Sequence, residues 1–190
     1  MSPGQAIILI WVIWAVSWYA AAAWSARTQN RPPVGSEAVS RACTLIGAVL
    51  LFGFYSLHHH APTQMWQLNE NMNWLMVVLT AAGFAFCWWA GVHLGRLWSA
   101  SITRKEGHHI VDTGPYAFVR HPIYTGIILA SFATAAEKGT AIALAGAIVM
   151  TIGWYLKARE EERFLREELG TANYDAYAQR VAMLVPFVKL

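Results

Sequence analysis

Two clusters of polar residues border the last apolar hairpin of this chain, and their residue types suit the binding of a small charged molecule. The first is the run Gly114-Pro-Tyr-Ala-Phe-Val-Arg-His-Pro-Ile-Tyr-Thr-Gly126. The second is the glutamate-rich run Arg159-Glu-Glu-Glu-Arg-Phe-Leu165. Arginine and histidine beside a membrane segment usually face a polar cavity and mark a site. This layout is typical of a small membrane enzyme.

The first cluster carries the signal for the start of a helix. Pro122 suits the first turn of a helix, where its missing N–H costs nothing. Arg120 and His121 would then lie at the positive end of the helix dipole, which favours an anionic group. Gly126, one turn into the helix, leaves a smooth patch for a flat ligand or a neighbouring helix. The aromatic faces with hydroxyl tips in this cluster are Tyr116 and Tyr124.

The second cluster offers negative charge to a ligand. Glu161 and Glu162 begin the predicted tail helix and are suited to receive an ammonium group or ribose hydroxyls. The alternative is an ordinary solvated helix, because glutamates and arginines interleave here at salt-bridge spacing. A ligand with a carboxylate, an ammonium, an adenosine and a sulfonium would use all of these features. S-adenosylmethionine is such a ligand.

The composition around these clusters is that of a polytopic membrane protein. Hydrophobic residues make up 56% of the 190 residues and charged residues 13%, about half the charged share of a soluble domain. A spanning helix needs roughly 20 mainly apolar residues. Shorter apolar segments also fit buried core helices, but the chain offers no large soluble shell around them. The predicted spans are 5–24, 42–57, 73–95, 122–136 and 139–156.

We therefore predict an all-α, polytopic integral membrane protein with about five transmembrane helices and a cytoplasmic C-terminal helix. Residues 1–190 form a single domain, in which 1–95 hold three spans and 96–190 form the cofactor-binding half. The alternation of strands and helices and the Gly-x-Gly-x-x-Gly turn of a doubly wound methyltransferase domain are both missing from the sequence.

Positive charge predicts the orientation of the spans, because lysine and arginine collect in cytoplasmic loops. The segments 25–41 and 96–121 and the tail from Lys157 are basic, whereas 58–73 has no lysine or arginine. The N-terminus and 58–73 are therefore expected outside and the basic parts in the cytoplasm, with Lys138 as the exception. The net charge of +3 follows from this distribution and gives no case for nucleic acid.

Cysteines and consecutive histidines have simpler interpretations. Cys43 and Cys87 fall inside predicted spans and have no Cys-x-x-Cys spacing, so they are expected to pack as small apolar groups. The run His58–His60 ends the second span, where an interfacial polar cap is favoured over a metal site because three consecutive histidines do not face one ion from a helix. We predict no metal site.

The two polar clusters together resemble the signature of the isoprenylcysteine carboxyl methyltransferase family, whose relatives include membrane phospholipid methyltransferases. The resemblance rests on 108–126 and on Glu161-Glu-Arg-Phe-Leu165, and it continues through Tyr174 and Tyr177 to Phe187. It covers about half the chain and implies S-adenosylmethionine as the cofactor, bound on the cytoplasmic side. The cofactor-binding residues that it implies are His108, His109, Ile110, Val111, Tyr116, Arg120, His121, Pro122, Ile123, Tyr124 and Glu161.

The same resemblance implies a lipophilic acceptor that enters sideways from the bilayer. The family arginine that receives a substrate carboxylate is replaced here by Lys157, with Arg159 next, and lysine lacks the bidentate fork of arginine. Ala182 stands where a proline is common. Lys157, Arg159 and Glu162 are therefore the catalytic candidates, and a prenylcysteine-like carboxylate, a lipid amine and a thiol all stay open as acceptors.

Two other functions are alternatives to methyl transfer. Membrane sterol and enone reductases have a similar C-terminal helical arrangement and bind NADPH near the same place. A non-enzymatic small membrane protein is the third alternative, but it would leave Arg120, His121 and the glutamates without a ligand.

Overall fold

The computed structural model describes residues 1–22, 28–30, 35, 37–53, 63–95, 104–105 and 110–188. Within these ranges the chain forms six α-helices, a short 3-10 helix at Gly114–Ala117, and an antiparallel pair of very short strands, β1 (Thr28–Asn30) and β2 (Arg104–Lys105). The helices are α1 Pro3–Ala22, α2 Ala38–Phe52, α3 Glu70–Leu94, α4 Pro122–Lys138, α5 Ala141–Leu169 and α6 Thr171–Arg180. The predicted helical architecture is confirmed. The His58–His60 run lies outside the described residues.

Local signals account for the ends of the long helices. Asn69 caps α3, because its side-chain oxygen accepts the backbone N–H of Met72 at 2.9 Å. Pro122 opens α4, as its position before the apolar run predicts. Gly139 ends α4 in the left-handed conformation, and Thr140 caps α5 through the N–H of Ala143. The two-residue connection Gly139–Thr140 therefore folds α4 and α5 into a tight hairpin.

Small residues let the helices approach closely. A Cβ atom added to Gly126 on α4 would collide with the carbonyl oxygen of Gly83 on α3. Gly47 on α2 and Gly146 on α5 approach in the same way. Close backbone contact of this kind is the main route to helix association in a lipid environment. The sequence left a flat ligand and a neighbouring helix as alternatives at Gly126, and the structure places the neighbouring helix α3 there.

An aromatic cluster fills the space between α1 and α3. The ring of Trp14 stacks on Phe84 with centroids 4.6 Å apart, and Trp11 meets the same phenylalanine edge-on at 4.7 Å. The Trp11 indole N–H donates to the hydroxyl of Thr134 on α4 at 3.0 Å. These contacts join α1 to the α3–α4 pair and keep the indole dipole of Trp11 satisfied inside an apolar bundle.

Three of the described helices are long and apolar enough to cross a membrane, and they cover Pro3–Ala21, Glu70–Leu94 and Ala141–Glu168. The other two helices of the bundle are shorter: α2 has 15 residues and α4 has 17. At 1.5 Å per residue they measure about 22 and 26 Å, against about 30 Å of hydrocarbon. The predicted count of five spans is therefore not confirmed, although α2 packs along α5 and α4 packs along α3.

The first five helices alternate in direction, so the bundle has two distinct ends. Gly4 at the start of α1 lies against Glu137 at the end of α4, and Trp18 near the end of α1 lies against Gly91 near the end of α3. The end at which α4 begins, here called the site end, also contains the start of α2, the end of α3 and the second half of α5. The described residues that the sequence predicted for a site all lie at this end.

The close approach of α3 and α4 predicts the effect of a single added methyl group. Gly126→Ala should lower the stability of the detergent-solubilised protein by about 2 kcal/mol, because the neighbouring group is backbone and cannot move aside. Gly91→Ala is the matched control, since its added carbon meets only the ring of Trp18 at 3.3 Å. Thermal unfolding followed by tryptophan fluorescence measures both variants. Equal melting temperatures for the two variants would contradict the packing described here.

Candidate functional site

The turn that precedes α4 is held in place by the chain that follows α6. The N–H of Arg120 donates to the carbonyl of Ala182 at 2.8 Å, and the N–H of His121 donates to the carbonyl of Met183 at 3.1 Å. The tail segment 181–184 is buried along this contact. It therefore fixes the backbone from which the polar side chains of the first cluster project.

A buried ion pair connects α4, α5 and α6. The Arg120 guanidinium donates from Nε to a Glu162 oxygen at 2.7 Å and from Nη1 to the carbonyls of Ala178 and Val181. Arg120 is 8% exposed and Glu162 is 2% exposed. Arg120 was predicted to bind a cofactor and Glu162 to act in catalysis. The structure places both in this pair, and their contact with a ligand stays a prediction.

The imidazole of His121 lies between two consecutive glutamates. Its Nε2 is 3.2 Å from a Glu162 oxygen, and its Nδ1 is 3.7 Å from a Glu161 oxygen. The Tyr124 hydroxyl donates to the same Glu161 oxygen at 2.6 Å, and the Tyr124 ring lies parallel to the imidazole at 5.3 Å. The side chain of Glu161 is 30% exposed, whereas that of Glu162 is 3% exposed. Of the two carboxylates, that of Glu161 is thus the more accessible from outside the protein.

Trp154 extends the aromatic surface of His121 and Tyr124. Its ring stacks on Tyr124 at 4.8 Å, and the Lys157 ammonium lies 5.7 Å from the Tyr124 centroid and 5.5 Å from that of Trp154. The indole Nε1 of Trp154 is buried and has no hydrogen-bond partner among the described residues. Trp154 is not among the residues that the sequence predicted for this site. Its spacing of three residues from Lys157 and seven from Glu161 is the signal that places it on the same helix face.

Tyr116 is positioned by the end of α3 and by α6. Its ring stacks on His93 at 6.4 Å, and its carbonyl accepts the Tyr177 hydroxyl at 2.8 Å. Burial raises the pKa of Tyr177 and holds the pKa of Tyr116 well above the usual range, so both hydroxyls stay protonated. A side chain at Gly114, where φ is +57°, would collide with the ring of His93, so this turn requires glycine.

The remaining residues predicted for the cofactor have packing contacts. Ile110 packs against a small cluster formed by Tyr174, Tyr177 and Val181, and Val111 beside it is half-buried. Pro122 is fully buried, and the carbonyl of Ile123 accepts the thiol of Cys87 at 3.2 Å. Predicted cofactor contacts also fell on His108 and His109, which lie outside the described residues.

Lys157 and Arg159, the two cationic residues predicted to contact the acceptor, do not lie together in the structure. Lys157 lies on the aromatic surface, whereas the guanidinium of Arg159 lies 6.0 Å from the Tyr155 ring, in a cleft between α5 and α6. Residues two apart in an α-helix point about 200° apart. Lys157 is therefore beside the cluster of His121, Tyr124 and Glu161, and Arg159 is not.

Comparison with known proteins assigns a family to the same part of the chain. The sequence profile of the isoprenylcysteine carboxyl methyltransferase (ICMT) family matches residues 74–167. The matched range extends from α3 to the second half of α5 and contains His93, Tyr116, His121, Tyr124, Trp154, Lys157 and Glu161.

Individual relatives carry two kinds of name. The chain is 38% identical over 88 residues to Protein-S-isoprenylcysteine O-methyltransferase B of Arabidopsis thaliana. The aligned region covers 46% of this chain and 44% of the relative. It is 31% identical over 152 residues to Methanethiol S-methyltransferase 2 of Bradyrhizobium diazoefficiens. The aligned region covers 75% of this chain and 57% of the relative. Methanethiol S-methyltransferase 1 of the same organism is 46% identical over 72 residues, 38% of this chain and 24% of the relative. The chain thus spans less than two thirds of each of these relatives.

The buried ion pair predicts a large cost for removing one partner. Arg120→Ala should destabilise the protein by about 3–5 kcal/mol, because Glu162 would keep its charge in a buried place with its closest cation removed. The C-terminal tail should also become sensitive to limited proteolysis, since the carbonyls of Ala178 in α6 and Val181 at the start of the tail lose their donor. Thermal unfolding and mass mapping of the cleavage sites measure these effects.

Arg180→Ala is the matched control for this change. Arg180 pairs with Asp112 at 3.2 Å, but its side chain is 67% exposed, so its removal should cost about 1 kcal/mol or less. If both arginine variants unfold at the temperature of the parent protein, Arg120 does not hold the tail.

Proposed function

We propose that the chain is an integral membrane methyltransferase that uses S-adenosylmethionine. This proposal is supported by the match of residues 74–167 to the isoprenylcysteine carboxyl methyltransferase family and by the methyltransferase names of the relatives. The observation that supports this proposal is the convergence of His121 and Tyr124 on one oxygen of the partly exposed Glu161 carboxylate. Tyr124 and His121 precede Glu161 by 37 and 40 positions, and all three lie inside the range that the family profile matches.

The groups around Tyr124 fit S-adenosylmethionine, which supplies a methyl group on a positively charged sulfur. Glu161 has an exposed carboxylate for an ammonium group or a ribose hydroxyl. Trp154 has a buried N–H donor that a ligand would satisfy, and buried donors without a partner are uncommon. The stacked rings of His121, Tyr124 and Trp154 favour a flat base or a cation on their faces. Tyr116, Ile110, Val111 and the turn into α4 would complete the pocket.

The residues of the chain contribute by alignment and by charge. Methyl transfer from a sulfonium is a direct displacement, so the protein needs to hold the two reactants in line and keep water out. The Lys157 ammonium beside Tyr124 favours an acceptor whose nucleophile is an anion, which is a carboxylate or a thiolate. An amine acceptor would have to become neutral first, and a nearby ammonium does not assist its attack.

We also propose that the acceptor is lipophilic and reaches the site from the bilayer. The cluster lies at the end of a bundle whose helices carry apolar side chains on their outer faces, such as Leu129 and Phe132 on α4. The named relatives act on a prenylated cysteine or on methanethiol, and both acceptors have an apolar part and an acidic group. The basic residues at the site end favour five spans with this end in the cytoplasm.

Cofactor binding tests the first part of the proposal. His121→Ala and Glu161→Ala should each weaken the binding of S-adenosylhomocysteine at least tenfold, or about 1.4 kcal/mol, because each removes a group from the cluster around Tyr124. Isothermal calorimetry on the folded variants measures this. Glu167→Ala removes an exposed glutamate from the same helix and should bind like the parent protein. Unchanged affinity in both cluster variants would remove these residues from the cofactor site.

Acceptor kinetics test the role of Lys157. Lys157→Ala should raise the acceptor KM or lower kcat by about tenfold while the affinity for S-adenosylhomocysteine stays within twofold, since the ammonium serves the acceptor. Lys138→Ala is the matched control, because Lys138 lies at the opposite end of the bundle. Parallel assays should use a prenylated cysteine analogue, short thiols and a lipid amine.

Three outcomes would oppose the acceptor proposal. Activity on the lipid amine alone would contradict an anionic nucleophile. Activity confined to small hydrophilic acceptors would contradict entry from the bilayer. A loss in Arg159→Ala with no loss in Lys157→Ala would move the polar end of the acceptor to the other face of α5.

A further inference from the structure

A cavity lies on the face of α5 that points away from Lys157. It is a cleft of about 550 Å³ between α5 and α6, open to one side. Its lining includes Tyr155, Arg159, Arg163, Arg166, Gln179 and Met183. Arg120 and Glu162 also line it, whereas His121, Tyr124 and Trp154 do not. The cleft is therefore distinct from the surface of stacked rings.

The cleft carries an excess of positive charge. Four guanidinium groups line it, those of Arg120, Arg159, Arg163 and Arg166, against two carboxylates, so two positive charges remain. Both carboxylates are held by Arg120 and Arg166: Arg120 binds Glu162 at 2.7 Å, and Arg166 binds Asp175 at 2.7 Å and lies 3.6 Å from Glu162. The excess charge thus belongs to Arg159 and Arg163, which are both exposed. Glu160, outside the lining, is a charged neighbour of Arg163 on the same helix.

The spacing of the two exposed arginines suits one tetrahedral anion. Arg159 and Arg163 are four residues apart on α5, so their Cβ atoms lie about 6 Å from each other on one face of the helix. Guanidinium groups offer paired N–H donors that match the oxygens of phosphate. The side chains of Tyr155 and Met183 give the same cleft an apolar wall. A ligand that carries a phosphate beside an apolar group would use both parts.

The position of the cleft along α5 indicates where such a phosphate would come from. The apolar part of α5 ends close to Leu156, and charged residues follow from Lys157 onward. The cleft begins at Tyr155 and extends to Arg166, so it lies where the helix leaves the apolar layer. Lipid phosphates occupy this depth in a bilayer, and basic side chains at a membrane surface attract anionic lipids.

We propose that the cleft between α5 and α6 binds a phosphate group through Arg159 and Arg163, and that the headgroup of an anionic phospholipid in the surrounding bilayer supplies it. This site is separate from the methyl-transfer site, because the two lie on different faces of α5. Glu162 stands between them, with one oxygen on His121 and Arg120 and the other facing Arg166. Its existence does not depend on the proposed methyltransferase activity.

The test uses the full chain in a neutral detergent with three probes: a short-chain phosphatidylglycerol, the phosphatidylcholine of the same chain length, and inorganic phosphate. Phosphatidylglycerol should bind and raise the melting temperature, and inorganic phosphate should bind at least tenfold more weakly. The double variant Arg159→Gln/Arg163→Gln should lose at least tenfold in phosphatidylglycerol affinity. Native mass spectrometry and thermal unfolding give the two readouts.

The matched control removes the same two charges elsewhere. Arg41→Gln/Arg180→Gln changes arginines whose side chains are 61% and 67% exposed, and neither lines the cleft. This variant should bind phosphatidylglycerol like the parent protein. An equal loss in the control, or no loss in the cleft variant, would overturn the site.

Two further outcomes decide the source of the phosphate and the separation of the sites. Inorganic phosphate that binds as tightly as phosphatidylglycerol, or phosphatidylcholine that binds equally, would overturn the assignment to an anionic lipid headgroup. S-adenosylhomocysteine that displaces phosphatidylglycerol would join the cleft to the cofactor site and overturn the proposal of a second site. Independent binding of the two ligands supports it, even where no methyl transfer is detected.

Discussion

The buried pair of Arg120 and Glu162 is the interaction on which the rest of the site end depends. Burial of two charges is costly unless further hydrogen bonds compensate it. The carbonyls of Ala178 in α6 and Val181 in the tail accept from Arg120, and His121 and Arg166 lie against the oxygens of Glu162. Four segments of the chain are thereby held to one carboxylate. Because Glu161 directly precedes Glu162 in the same helix, fixing Glu162 also fixes the direction in which the more accessible carboxylate points.

The pitch of α5 explains how one helix serves two chemically different surfaces. Trp154, Lys157 and Glu161 repeat at three and four residues and face the start of α4. Arg159 and Arg163 repeat at the same interval but lie about 200° further round, facing α6. This run of glutamates and arginines therefore has two faces with different neighbours. The helix is not evenly solvated, because Glu162 is 2% exposed, although the salt-bridge spacing is used by the pair of Glu162 and Arg166.

Sequence patterns predicted the helices and part of the site, and they failed where the partners are distant. Long apolar runs predicted α1, α3 and α5, because length and composition are local properties. The Arg-His-Pro run and the paired glutamates brought His121 and Glu161 together in advance of the structure. Nothing in the sequence indicates that the guanidinium of Arg120 contacts the carboxylate of Glu162, 42 residues away. The opposed directions of Lys157 and Arg159 follow from helix geometry, because residues two apart in an α-helix point about 200° apart.

Lys157, which the family resemblance places where an arginine is expected, bears on the proposed range of acceptors. An arginine fork selects for a planar carboxylate through two parallel hydrogen bonds, whereas an ammonium attracts any nearby anion without fixing its shape. Lys157 is further held against two aromatic faces, which leaves its charge beside the cluster and limits its motion. A site of this kind discriminates by charge and apolar fit more than by the geometry of the nucleophile. Carboxylate and thiolate acceptors are therefore both compatible with the proposed site, and relatives of the chain carry both kinds of name.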